Sequence, residues 1–209
     1  MTNFEITPMH LDILKEIGNI GAGNAATALS QLLQQKIEMH VPDVHLVSFE
    51  EMFELAGGPE KVVAGVYLRI QGDITGTMFF ILPLESANRY IQNLIQDPTF
   101  DFENEATAAI GASALQELGN ILSGSYLSSL SDFTRLHIYP TVPSLAIDMV
   151  GAIVSFGLVE LSQYSDEVIV IDTRITQGLE DGTSTFAGHF FLLPDPPSYE
   201  VIFKSLGVM

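Results

Sequence analysis

The chain has 209 residues, of which 47% are hydrophobic and 16% charged, and these proportions are typical of a folded globular protein. A formal charge of −18 disfavours nucleic acid as a partner, and the absence of cysteine excludes disulfides and thiolate chemistry. No apolar run reaches the roughly 18 residues that span a bilayer, and the first residues lack a signal-peptide pattern. We therefore expect a cytoplasmic protein without membrane insertion.

The first half of the chain predicts three helices, an extended segment and a pair of strands. Thr7 and Pro8 favour a helix start, as N-cap and first helical residue, and the helix extends to about Gln35. The elements predicted after it are an extended segment over Pro42–Ser48, a short helix over Glu50–Ala56 closed by Gly57 and Gly58, strands over Val62–Ile70 and Thr75–Leu82 with a turn at Gly72 and Asp73, and a helix over Glu85–Ile95.

The second half repeats this plan. Its predicted elements are a helix over Glu105–Leu130, strands near Arg135–Tyr139, Gly151–Leu161, Glu167–Thr176 and Thr183–Leu193, and a helix over Ser198–Leu206. Strands in adjacent hairpin pairs indicate a largely antiparallel sheet, so the predicted class is α+β. We expect residues 1–209 to form a single domain of two halves, about 1–100 and 101–209.

An internal duplication supports the two halves. When Glu16–Leu33 is placed over Glu117–Thr134, seven positions are identical, and the same offset of 101 residues brings Pro42 onto Pro143. Further along, FFILP starting at Phe79 matches FFLLP starting at Phe190, so the second half contains a net insertion, which we place in a loop. A pseudo-two-fold fold with two long motif-bearing helices is the expected consequence.

Each long helix has a narrow polar stripe, because an α-helix advances about 100° per residue. The stripe of the first helix consists of Asp12, Glu16, Asn19 and Gly23. The stripe of the second helix consists of Ser113, Glu117, Asn120 and Gly124. Retention of Glu and Asn in register indicates function, since an exposed polar stripe needs no retention for folding. We therefore expect all four Glu and Asn side chains to be exposed.

Glycines inside these helices have two interpretations, because each costs roughly 1 kcal/mol relative to alanine. They allow another element to approach the helix backbone, or they clear space for a partner beside the stripe. Gly21 lies on the apolar side and fits close packing. Gly23 and Gly124 lie on the stripes and fit partner access.

The motifs resemble those of a known family. The patterns Asp12-x3-Glu16-x2-Asn19 and Ser113-x3-Glu117-x2-Asn120 are each followed, after twenty-two residues, by a proline. This arrangement resembles the CheC-type chemotaxis phosphatases, the family of CheC, CheX and FliY. The resemblance covers nearly the whole chain, and the length with two intact motifs is most similar to the CheC branch.

The resemblance implies an enzyme that hydrolyses the aspartyl phosphate of the chemotaxis response regulator CheY. The implied catalytic residues are Glu16, Asn19, Glu117 and Asn120. The Asn carboxamides position water, since an amide both accepts and donates hydrogen bonds, and the Glu carboxylates dock the regulator through a lysine beside the phosphoryl group. Asp12 and Ser113 are expected to contact the partner. The chain is expected to bind no metal or other cofactor, because Mg²⁺ belongs to the regulator.

The family resemblance also implies a second partner, a receptor deamidase similar to CheD. The segment Leu145–Ile153 is apolar except for Asp148, whereas the aligned segment of the first half is far more polar. It is either a buried element with Asp148 at a turn or a docking surface for the deamidase, with Asp148 setting orientation.

Two questions remain open at the sequence level. A non-catalytic adaptor of the chemotaxis or flagellar switch apparatus has the same motifs available for binding alone. The acidic charge either keeps an apolar chain soluble or helps to select a protein partner. We expect a monomer.

We interpret the closeness of His10 to Asp12 as a coincidence of two residues on the helix surface, without a shared function.

Overall fold

The structure is a computed structural model that describes residues 5–178 and 184–208. The helices are α1 (Pro8–Leu33), α2 (Phe49–Leu55), α3 (Leu84–Ile95), α4 (Glu105–Thr134), α5 (Val150–Leu161) and α6 (Pro196–Ser205). The strands are β1 (Ile37–Ser48), β2 (Val62–Gly72), β3 (Gly76–Pro83), β4 (Ile138–Pro140), β5 (Ser144–Met149), β6 (Glu167–Gly178) and β7 (Ser184–Pro194). No helix within the described residues is long and apolar enough to cross a membrane.

Most predicted elements are confirmed, including both long helices and the hairpin of β2 and β3. The predicted start of the last strand, Thr183, lies outside the described residues. The strand predicted over Gly151–Leu161 is wrong, because this segment is α5. Its β-branched residues favoured a strand, yet its buried residues recur at the helical spacing of three and four, at Val150, Ile153, Val154, Leu158 and Leu161. The repeat also contained this signal, since α5 begins where the offset of the duplication places α2.

The seven strands of the described residues form one antiparallel sheet in the order β1, β6, β7, β3, β2, β4, with β5 also paired to β2. The order is symmetric between the two halves. Read from either end, it is the same when β1 is matched with β4 and β5, β2 with β6, and β3 with β7. The helices α1, α3, α4 and α6 cover one face of the sheet, and α2 with α5 cover the other. The interleaving of the two halves supports our proposal that residues 1–209 form one domain.

The centre of the sheet corrects the register of the repeat. Phe79 of β3 lies opposite Phe191 of β7, and both side chains are buried in the cluster below α2 and α5. The equivalent helices α1 and α4 lie on the same face of the sheet, so the two-fold axis that relates the halves is perpendicular to the sheet. This axis keeps each side chain on its own face and relates Phe79 to Phe191. The sequence match had paired Phe79 with Phe190, whose side chain is on the other face. Two adjacent phenylalanines concealed this one-residue slip.

Glycines allow the two motif helices to approach the sheet and each other. A Cβ atom on Gly18 would lie 3.0 Å from Ile171, and one on Gly119 would lie 2.7 Å from Val66. A Cβ atom on Gly21 would lie 3.2 Å from the Cα of Tyr126, so close packing explains Gly21 as predicted. The stripe glycines, Gly23 and Gly124, have nothing within 4 Å of such an atom, so their open space is compatible with partner access.

Candidate functional site

The sheet directs the two motif helices in opposite directions. Lys15 of α1 pairs with Asp43 of β1 at 3.8 Å, and Asn19 of α1 forms a hydrogen bond with Val41 of β1. The contact that comes later in the helix is thus the one that comes earlier in the strand. α1 therefore runs antiparallel to β1, and α4 has the same relation to β4 and β5. Because neighbouring strands alternate in direction, β1 and β5 at opposite sides of the sheet run in opposite directions. The two stripes accordingly lie toward opposite ends of the helix pair.

Buried contacts fix how the helix pair sits on the sheet. The Tyr126 hydroxyl shares a hydrogen bond with the Thr173 hydroxyl, and the Tyr126 ring packs on Phe190 with centroids 4.7 Å apart. Burial raises the pKa of Tyr126 well above its usual value, so this phenol stays neutral. Between the helices, Asn24 donates to Ser129 at 3.2 Å. These contacts give each stripe a rigid support.

The first stripe is only partly exposed. Glu16 is exposed as predicted, and Asp12 is exposed too, but Asn19 is half-buried. Its Oδ1 atom accepts a hydrogen bond of 2.9 Å from the backbone N–H of Val41, a core residue. The prediction of four exposed side chains is therefore wrong for Asn19. The cause is the irregularity of β1 between His40 and Asp43, which leaves the Val41 N–H without a strand partner.

The three polar side chains of the second stripe are all exposed. Ser113, Glu117 and Asn120 all face solvent, and the Nδ2 of Asn120 donates a long hydrogen bond of 3.3 Å to Glu117. Val142, the counterpart of Val41, is 87% exposed and lies between β4 and β5. The two copies thus share a backbone arrangement but hold their carboxamides differently.

A further positioning contact escaped the sequence analysis. Gln116, next to Glu117, donates from Nε2 to the carbonyl of Pro143 at 3.1 Å and so ties α4 to the segment before β5. The counterpart of Gln116 in the first half is Lys15, which reaches Asp43 instead. The proline common to both halves marked this junction in the sequence. The side chains that make the contact, Lys15 with Asp43 and Gln116, are not repeated between the halves.

His10 has a structural position, and its interpretation as a surface coincidence is wrong. The side chain is 7% exposed, stacks on Phe203 with centroids 4.2 Å apart, and bonds through Nε2 to the Val208 carbonyl at 2.8 Å. It also accepts at Nδ1 from the Thr7 N–H and so caps α1. Within the described residues, no group of three or more His, Asp or Glu could hold a metal ion.

Asp148 is exposed on β5, away from both stripes. Of the two alternatives for this segment, the buried element with Asp148 at a turn is wrong, because β5 pairs with β2 and leaves Ile147 40% and Met149 47% exposed. Only at Val150, where α5 begins, does the segment enter the core. The structure therefore brings together each Glu–Asn pair on one helix and separates Asp148 from both.

Comparisons with known proteins agree with the two stripes. The model of the CheC-like family matches residues 9–46 and 110–147, the two motif helices with the segments that follow them. The chain is 48% identical to a Bacillus subtilis (strain 168) protein named CheY-P phosphatase CheC, over 197 residues that cover 94% of this chain and 93% of the relative. The chain therefore belongs to the CheC-like family.

Solved structures share the fold at low sequence identity. Thermotoga maritima FliY has a TM-score of 0.72 at 19% identity, covering 98% of both chains. A chain of the CheX–CheY–BeF3–Mg²⁺ complex from Borrelia burgdorferi has a TM-score of 0.53 at 19% identity, covering 83% of this chain and 95% of that one. At these identities the likeness shows the fold alone.

Replacement of the two asparagines should affect stability unequally. We expect Asn19→Ala to lower the free energy of unfolding by about 1–2 kcal/mol, because it leaves the buried Val41 N–H unsatisfied. Asn120→Ala should change it by less than about 0.5 kcal/mol, because its side chain is exposed. Urea denaturation followed by circular dichroism measures both values, and equal losses for the two variants would contradict the structural difference between the copies.

Proposed function

We propose that this chain is a phosphatase that hydrolyses the aspartyl phosphate of the response regulator CheY. The observation that carries the proposal is the presence of two Glu–Asn stripes at equivalent positions of a duplicated fold, in a chain 48% identical to CheY-P phosphatase CheC. A cytoplasmic location and a monomeric state belong to the same proposal.

The reaction needs little covalent assistance from the protein. The oxygen of a water molecule bonds to phosphorus, and the bond from phosphorus to the aspartyl carboxylate breaks, which releases phosphate and restores the carboxylate. Acceleration then comes from holding the water in line with the breaking bond. Asn19 and Asn120 provide this function, since a carboxamide oxygen accepts a hydrogen bond from the water while the amide NH2 group remains free to donate. Any Mg²⁺ involved is held by the regulator.

Glu16 and Glu117 dock the regulator. A carboxylate close to a phosphoryl group is repelled unless a cation lies between them, so each Glu pairs with a lysine beside the phosphoryl site. In the second stripe the long bond from Asn120 to Glu117 is weak enough to exchange for such a pair. Asp12 and Ser113, one turn earlier on the same exposed stripes, contact the regulator beside each Glu.

The two sites should differ in activity. Asn120 already extends into solvent, but Asn19 must release the hydrogen bond from Val41 before it can enter the regulator's active site. A typical net hydrogen bond contributes about 1 kcal/mol, which corresponds to roughly a fivefold difference in rate. The second copy is therefore the more active one.

Alanine substitutions at the two asparagines test the reaction. We expect Asn19→Ala combined with Asn120→Ala to remove the acceleration, a loss on the order of 10²–10³ in rate, because a positioned polar group is lost from each site. Asn120→Ala alone should leave less activity than Asn19→Ala alone. The measurement is phosphate release from phosphorylated CheY with and without each variant.

Asn93→Ala is the matched control, because Asn93 is an exposed asparagine of α3 and lies on neither motif helix. This variant should retain full activity. A folded double variant that keeps most of its activity would refute the role of the carboxamides. A wild-type protein that binds phosphorylated CheY without accelerating its hydrolysis would favour the adaptor function instead.

A second candidate function, binding of a CheD-like receptor deamidase, is supported by an exposed surface on β5 and α5. We define the β5–α5 surface by Asp148, Phe156 and Val159, because strand alternation directs Ile147 and Met149 to the other side of the sheet. Phe156 is 70% exposed and Val159 62% exposed. At the corresponding place in the first half, the exposed positions of α2 are Glu50, Glu51 and Glu54. This difference between the copies supports a partner that only the second half binds.

Asp148→Lys separates this function from the phosphatase reaction. Asp148 is the acidic group within an apolar surface and its side chain is exposed, so charge reversal should leave the fold intact. We expect deamidase binding to weaken at least tenfold, because reversal replaces attraction by repulsion, while hydrolysis of phosphorylated CheY is unchanged. Binding is measured by titration calorimetry with purified deamidase. Unchanged binding by the folded variant would place the docking surface elsewhere.

A further inference from the structure

Two exposed apolar side chains occupy equivalent positions at the start of the motif helices. Met9 is 59% exposed in the first turn of α1, and Ile110 is 56% exposed near the start of α4. The offset that relates the two motifs also relates these residues. Single exposed apolar residues are common on protein surfaces, but here the same exposure occurs in both copies.

Both residues lie in line with the polar stripes. Met9 precedes Glu16 by seven residues, as Ile110 precedes Glu117, and seven residues turn a helix to within about 20° of the starting direction. The same seven residues correspond to about 10 Å along the helix axis. Each stripe therefore begins with an apolar side chain and continues to the Glu and Asn, a feature that the sequence-based description as a polar stripe had missed.

An isoleucine also lies beside each motif, about 100° around the helix from the Asn. Ile20 follows Asn19 and is 36% exposed, and Ile121 follows Asn120 and is partly buried against the core. Each carboxamide is thus bordered on one side by an isoleucine, which is more exposed in the first copy than in the second. This arrangement resembles a docking surface in which apolar contacts give affinity and polar groups give orientation.

We propose that Met9 and Ile110 are apolar anchors for the phosphorylated regulator, one at each site. The proposal rests on the proposed function, because it takes the partner at the Glu–Asn motif as the occupant. A carboxamide can reach a phosphoryl group only if the regulator lies against the helix surface around it. A standard interface covers about 800 Å² per partner and so is roughly 30 Å across, which extends well beyond the 10 Å from Glu16 to Met9. The regulator that engages Glu16 therefore covers Met9, and by the same geometry the one that engages Glu117 covers Ile110.

The anchors should affect binding and leave the chemical step unchanged. We expect Met9→Gln combined with Ile110→Gln to raise the KM for phosphorylated CheY about fivefold to tenfold, since each loses the burial of half a large apolar side chain. The kcat should stay at the wild-type value because neither side chain reaches the reacting atoms. Met9→Leu with Ile110→Leu, which retains the apolar surface, should keep the wild-type KM.

Leu32 and Phe133 provide a matched control. They are equivalent apolar residues of the same two helices, 42% and 48% exposed, but they lie on the far side from the stripe. Leu32→Gln with Phe133→Gln should leave KM unchanged. Each variant is also titrated with CheY carrying beryllium fluoride, a phosphoryl mimic, so that affinity is known independently of turnover.

The outcomes separate the two proposals. Weaker binding of the Met9 and Ile110 variant with the control unchanged supports the anchors. Wild-type affinity of that variant, or equal weakening by the control, overturns the anchors and leaves the phosphatase function standing. A wild-type protein that neither binds the activated regulator nor accelerates hydrolysis overturns both.

Discussion

The close approach of α1 and α4 determines where the polar stripes face. Gly21 sits against the backbone of Tyr126, and Tyr126 is in turn held by Thr173 and Phe190 of the sheet. A larger side chain at Gly21 would push the helices apart and rotate the stripes, because packed interiors yield little. Gly18, Gly21 and Gly119 therefore reduce helix propensity at sites where close tertiary packing offsets the loss.

The duplication supplies two copies of one backbone arrangement, and local contacts then make the copies different. The irregularity after α1 leaves a backbone N–H that Asn19 satisfies, whereas the equivalent strand of the second half is broken into β4 and β5 and leaves Asn120 in solvent. On the opposite face of the sheet, acidic α2 corresponds to apolar α5. Differences of this kind allow one fold to keep a shared chemistry in both halves and to add a separate partner surface in one.

The sequence was sufficient for features that depend on periodicity and repetition. Both long helices, the antiparallel sheet, the two-fold relation and the positions of Glu16, Glu117 and Asn120 follow from patterns that are visible in the chain. The errors had two causes, a local pattern that was weighed wrongly and tertiary contacts that the sequence does not show. α5 was predicted as a strand because β-branched content was weighed above its helical spacing. Asn19 and His10 were predicted at the surface because their partners, Val41 and Val208, are backbone groups that no side-chain pattern reveals.

The central claim is a division of labour in which Glu docks the regulator and Asn acts on its phosphoryl group. The most direct test measures the affinity of beryllium fluoride-activated CheY for two variants, one with both asparagines changed to alanine and one with Glu16→Lys and Glu117→Lys. The account predicts that the asparagine variant binds within a few-fold of wild type. It predicts that the charge-reversed variant binds at least tenfold more weakly, and more weakly than a Glu→Gln pair, because reversal adds repulsion to the loss of an ion pair. Loss of affinity in the asparagine variant comparable to that in the charge-reversed variant would contradict the claim.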